Sequence, residues 1–219
     1  VSPFDWLEAG YFYYRPSDLY WDDFKKRGQY LDKGFNFKLI YRPKNKFFPN
    51  IAVGLDDFSG TGLFSKEYIV TTLNYNNIKT SFGVGWGKFV GENSFENPLS
   101  KISSKLSVRP DYILSEEGAY AGTPTYDKWF RGDIGLFGGI EYVIPKNNKI
   151  RFKMEYDPFD YTDFTANIQR GAIEELRKKD SNVNIGISYI VNDYFSFDAS
   201  FIKGNTFNLS FSIGLVFNR

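Results

Sequence analysis

The stretch "RFKMEYD" sets Arg151, Lys153, Glu155 and Asp157 two residues apart, in one file. Paired carboxylates are the equipment of general acid/base chemistry, as in glycoside hydrolysis, where one acid protonates a leaving oxygen and the other attacks or activates water. Two cations in the same file argue for a different use, because ion-pair networks also hold and perturb carboxylates. No catalytic residue is therefore assigned. A second candidate is "GLDDFSGTGLFSKEY", residues 54–68, in which Asp56 and Asp57 lead into a Gly-rich turn. Such carboxylates can hold a cation or accept backbone N–H groups, and glycine supplies positive φ. The lysine of a phosphate-binding loop is missing, so a structural turn is the expected use, with no metal site and no cofactor.

Composition removes whole classes of chemistry. The chain of 219 residues has no histidine, which excludes Ser-His-Asp and Cys-His machinery, His-ligated zinc and His general bases. It has no cysteine, hence no disulfide and no thiolate metal site. Lys and Arg total 27 against 26 Asp and Glu, which gives no electrostatic footprint for nucleic acid. Aromatic residues are abundant, with 23 Phe, 16 Tyr and 4 Trp, yet the apolar share is only 42%. An alternating barrel wall has that balance. No run approaches the roughly 20 apolar residues of a spanning helix.

The elements that would position these side chains are strands. Period-two patterns predict ten of them, near residues 4–15, 34–43, 49–57, 65–75, 78–89, 132–144, 149–157, 182–192, 194–203 and 206–217. In "GFNFKLIYR", Phe35, Phe37, Leu39 and Tyr41 share one face, with Asn36, Lys38 and Arg42 on the other. In "NTFNLSFSIGLVFNR", Phe207, Leu209, Phe211, Ile213, Leu215 and Phe217 alternate with small or polar residues. Connections alternate too: "PKNKF", "NN", "PKNN" and "ND" are tight, whereas 16–33, 58–64, 90–131 and 158–181 are long. An up-and-down barrel would gather the tight turns at one end and the long loops at the other, as outer-membrane barrels do. A soluble antiparallel barrel or sandwich is the competing fold, with the apolar files facing inward.

Three further segments carry expectations. Tyr11, Tyr13, Tyr41, Tyr75, Trp86, Tyr142, Tyr156, Tyr189 and Tyr194 are candidates for interfacial girdles. Gly83, Gly85 and Gly87 share a face in "GVGWGKFVG", where small side chains allow close approach, with wall packing the simpler reason. The connection 90–131 is too long for a passive link, and its Trp129 and Phe130 are candidates for sugar stacking or for a loop plug. In "TANIQRGAIEELRKKD", Ile168, Ala172, Ile173 and Leu176 have the spacing of a short loop helix.

Taken together, "PNIAVGLDDFSGTGLFSKEYIV", "GVGWGKF", "KWFRGDIGLFGGIEY", "RFKMEYDPFDY" and "YIVNDYFSFDASFIKGNT" resemble, in this order, the YjbH/GfcD-like exopolysaccharide-biosynthesis proteins. The resemblance runs from about Asp32 to the end of the sequence. It implies an outer-membrane β-barrel of Gram-negative bacteria that assists production or secretion of an extracellular polysaccharide alongside other export proteins. It supplies no catalytic residues. Members of that family are generally longer, so the chain resembles one barrel unit of a longer protein.

The expectation is thus an all-β, antiparallel, up-and-down transmembrane barrel of ten strands over residues 1–219, with both termini periplasmic. Lipid would touch the apolar files, and Arg42, Asp56, Glu141, Arg151, Lys153, Glu155 and Asp157 would face the lumen, because a lipid-facing Lys or Arg costs about 2–4 kcal/mol at the midplane. Ten strands leave a narrow or plugged interior. An accessory, polysaccharide-guiding role is preferred, with a passive porin, a surface carbohydrate-binding module and a carboxylate hydrolase as rivals.

Overall fold

The computed structural model describes residues 2–16, 28–45, 47–110, 122–162 and 177–214. Within them the strands are β1 (Leu7–Tyr14), β2 (Asp32–Tyr41), β3 (Asn50–Phe58), β4 (Lys66–Tyr75), β5 (Ile78–Gly87), β6 (Gly135–Ile144), β7 (Asn147–Tyr156), β8 (Val183–Ile190), β9 (Phe195–Ile202) and β10 (Thr206–Ile213). Each pairs antiparallel with its sequence neighbour, giving one sheet in the order β1 to β10. Tight turns join β4–β5, β6–β7, β8–β9 and β9–β10, while β2–β3 is joined through 42–49; at β4–β5 the two-residue turn sets Asn76 at φ 51°. The residues proposed as a loop helix, Ile168 to Leu176, and the last apolar positions, Leu215 and Phe217, lie outside the described residues. No helix among the described residues is long and apolar enough to cross a membrane.

Closure is the point at which the structure corrects the expectation. A barrel requires the outer hydrogen-bonding row of the last strand to meet that of the first. Among the described residues β1 and β10 do not pair with each other, so the sheet is an open ten-stranded meander with two margins.

The two files of each strand meet different surroundings. Register pairs Phe207 with Phe201, Leu209 with Ala199, Phe211 with Phe197 and Ile213 with Phe195, all on one face. That face is bare: Phe207, Leu209 and Phe211 are 66%, 70% and 69% exposed. Phe35, Leu39, Ile69, Phe82, Ile140, Phe152, Ile185, Ile187 and Phe197 continue the exposed apolar face along the sheet. The buried apolar side chains are Tyr30, Ala52, Leu63, Trp86 and Ile134, mostly in or beside the long connections. The apolar files are therefore not gathered into the central core that a soluble sandwich would need.

The connection between β5 and β6 is folded onto the sheet. Phe95 and Ile134 exchange backbone hydrogen bonds of 3.0 and 2.9 Å. Asn97, buried, accepts from the Leu99 N–H to start a short 3-10 turn (Pro98–Lys101) and donates to the carbonyls of Leu106 and Phe130. Asn97→Ala leaves those carbonyls unmatched, at about 1–3 kcal/mol. Limited trypsin treatment is expected to cut after Lys101 and Lys105 several-fold faster in that variant, with the strands still protected.

Candidate functional site

The face opposite the apolar one is polar and is lined by cavities. On β1 and β2 it carries Glu8 and Lys38, paired at 2.5 Å. Next, Asp56 of β3 meets Lys66 of β4 at 3.5 Å, and Thr72 of β4 bonds Ser81 of β5 at 2.9 Å. Glu141 of β6 accepts from Arg151 of β7 at 3.4 Å, and Lys153 of β7 meets Asp198 of β9 at 3.2 Å. Asp198 also accepts the Ser188 hydroxyl, while Glu155 accepts from Asn184 of β8 at 2.9 Å. Most of these pairs join neighbouring strands, because alternation puts every second residue of each strand on the same side.

Two cavities lie along this face. One, about 650 Å³, is lined by Lys79, Glu141, Lys153, Glu155, Asn184 and Asp198, among others. The second, about 570 Å³, is lined by Glu8, Lys38, Arg42, Asp56, Tyr68 and Lys79, among others. Lys79, Ser81, Phe89 and Phe137 border both. Phe89 and Phe137 stack with ring centres 4.3 Å apart and planes 17° from parallel. Tyr68 meets Phe89 edge-on at 5.7 Å and Phe137 at 6.1 Å, and the Lys66 ammonium lies 5.1 Å from the centre of the Phe89 ring. These aromatic rings fit on a sheet face because the neighbouring strands carry glycine there. A Cβ at Gly54 would strike Tyr68, one at Gly83 would strike Phe137, and one at Gly85 would strike Phe89.

The structure places the sequence candidates as follows. Asp56, Glu141, Lys153, Glu155 and Asp157 border one cavity or the other, as does Arg42, whose guanidinium donates to the Asp5 carbonyl. Arg151 is engaged by Glu141. Asp157 also organises the start of the next long connection: it accepts from the Phe159 N–H at 3.0 Å and from the Tyr161 hydroxyl at 2.6 Å. Burial, followed by that hydrogen bond, pushes the Tyr161 phenol well above its usual range. The Gly-rich turn separates the adjacent aspartates. Asp56 turns to Lys66, whereas Asp57, at φ 62°, accepts from the Phe64 N–H at 3.2 Å. A Cβ at Gly60 would collide with the Asp57 carboxylate, so this segment is a built turn. Among the described residues no group of three or more acidic side chains converges to hold a metal.

Trp129 and Phe130 are elsewhere. Trp129 packs on Phe58 and Tyr126, and Phe130 meets the Trp86 ring edge-on at 5.1 Å. Phe58 and Trp86 belong to the apolar files, so both loop rings cover the side of the sheet away from the cavities. Trp86 is 2% exposed and is no girdle residue. Of the other girdle candidates, Tyr11, Tyr13, Tyr41, Tyr75, Tyr142, Tyr189 and Tyr194 are exposed, and Tyr156 accepts from Asn93 at 3.0 Å. Beneath the loop sits Glu67, 1% exposed and opposite Trp86 in register, gripped by both terminal nitrogens of Arg109 at 2.6 and 2.9 Å. Phe130 N–H adds a third hydrogen bond to Glu67, and Arg109 also donates to the Ser65 hydroxyl and the Lys128 carbonyl.

Fold and site together define an all-β protein built as one antiparallel sheet with a polar side and an apolar side. The chain belongs to the family described as "Exopolysaccharide biosynthesis protein YbjH", which it matches over residues 1–219. It is 33% identical over 189 residues to the "Uncharacterized lipoprotein YjbH" of Escherichia coli (strain K12), covering 86% of this chain and 25% of that protein. It thus spans about a quarter of the length of that curated relative. No solved structure matches it.

Proposed function

We propose that the sheet is a wall of an outer-membrane β-barrel, with its apolar face against lipid and its polar face toward an aqueous interior, and that it assists exopolysaccharide production without catalysing a reaction. The margins at β1 and β10, which do not pair with each other among the described residues, would be sealed by β pairing with further strands outside this sheet. The observation that carries this reading is the bare apolar file from Phe207 to Ile213 opposite a polar face that lines open cavities. Exposed apolar areas of this extent mark membrane or protein contact. The lipoprotein relative accords with a place at a membrane. Glu141, Glu155 and Asp198 are each engaged by Arg, Asn, Lys or Ser, an arrangement suited to a stable wall rather than to a free acid and base.

The absence of cysteine from this sequence provides a clean test. Single Cys variants of the chain at 207 to 212 are labelled with an environment-sensitive dye after reconstitution in vesicles. Quenching by lipid-borne nitroxide is expected at Phe207, Leu209 and Phe211, and quenching by a soluble agent at Asn208, Ser210 and Ser212. Uniform aqueous quenching would remove the membrane reading.

A further inference from the structure

The polar face holds a feature that a simple water-filled wall does not need. Tyr68, Phe89 and Phe137 are half-buried rings on the charged side of the sheet, at the partition between the two cavities. Packed on one another, these half-buried rings present an aromatic surface on a charged face, and glycines at 54, 83 and 85 are what make room for them. Sugar rings match such a surface: one face of a pyranose presents C–H groups that pack on an aromatic plane, while its rim of hydroxyls seeks charged and amide partners. Both kinds of partner are within the same cavities, with Asp56 on one side of the rings and Glu155 and Asn184 on the other. Lys79, which borders both cavities, makes no ion pair among the described residues and stands ready for an acidic sugar.

We infer that this face binds an acidic polysaccharide segment, with a sugar ring seated on the Tyr68, Phe89 and Phe137 cluster and a carboxylate directed to Lys79. The inference rests on the reading of this face as the aqueous lining of a wall that serves a polysaccharide. It moves the aromatic contact from the loop residues Trp129 and Phe130 to the interior of the sheet.

Binding of oligouronate and of maltohexaose to the reconstituted chain, followed by calorimetry, tests it. Oligouronate is expected to bind more tightly than maltohexaose. Phe89→Leu and Phe137→Leu, which keep apolar volume but lose the aromatic plane, are expected to weaken both probes about tenfold, the size of one lost aromatic contact. Phe89→Tyr is expected to keep binding, Lys79→Ala to bring oligouronate down to the level of maltohexaose, and Trp129→Ala to change neither. Unchanged binding in both Leu variants, equal affinity for the two probes, or no binding by the parent chain would each overturn the inference. The Cys labelling above is run on the same preparations, so failure of the site with intact lipid and water alternation is distinct from failure of the wall itself.

Discussion

Arg109→Ala is expected to release the connection between β5 and β6 from the sheet at a cost of about 3–5 kcal/mol, because it strands Glu67 as an unpaired buried charge. Glu67 stands on the apolar file of β4, where a carboxylate is tolerated only because Arg109 and the Phe130 N–H cover it. The expected readout is early cleavage of the connection by protease and a lower denaturant midpoint. Glu67→Gln combined with Arg109→Met removes both charges and is expected to recover much of the loss, since neutral, well-packed replacements of a buried pair are often near neutral. The contrast is Lys38→Ala, which breaks an ion pair of similar length on the polar face. Both partners there are partly exposed, at 33% and 44%, so the effect should stay within about 1 kcal/mol. Equal losses in the two variants would contradict the burial assigned to Glu67.

Leu209→Arg is the second large effect. In the middle of β10, on the face proposed to meet lipid, arginine is expected to reduce stability in vesicles by about 2–4 kcal/mol, whereas Ser210→Arg one residue away changes little. Urea titration of the folded chain in vesicles reads both. Water gives a different answer: a side chain 70% exposed to solvent tolerates arginine within about 0.5 kcal/mol, so near-equal stabilities of the two variants would place this face in water.

Alternation carried most of the fold. The ten predicted strands coincide with the observed ones to within a few residues, because one apolar face and one polar face write period two into every segment. Short connections pointed to the meander order, although the observed lengths do not sort fully by parity: 42–49 between β2 and β3 is longer than 59–65 between β3 and β4. Closure was not legible: whether β10 meets β1 depends on accumulated curl, stagger and strand number, which no local pattern records. The long connection was only half legible. The cost of leaving them wet marks Trp129 and Phe130 as packed, but not which side of the sheet they cover; Glu67 on an apolar file, with Arg109 far along the chain, is the residue that signals the covered side. Tyr68 and Phe137 were also within reach. Each falls on a polar file, between Lys66 and Val70 or between Gly135 and Gly139, with glycine opposite. An aromatic out of phase with its strand, facing glycine, is the sequence signal of such a ring.

The two margins of the meander have an assembly consequence. From Thr206 to Ile213 the last strand has neither charge nor proline, so nothing along it repels another strand. In hydrocarbon every bare amide on such a seam costs several kcal/mol. For a sheet that enters a bilayer as proposed, insertion and sealing are therefore one coupled event, and in detergent with its seams unsealed it is expected to recruit β structure from whatever neighbour it meets.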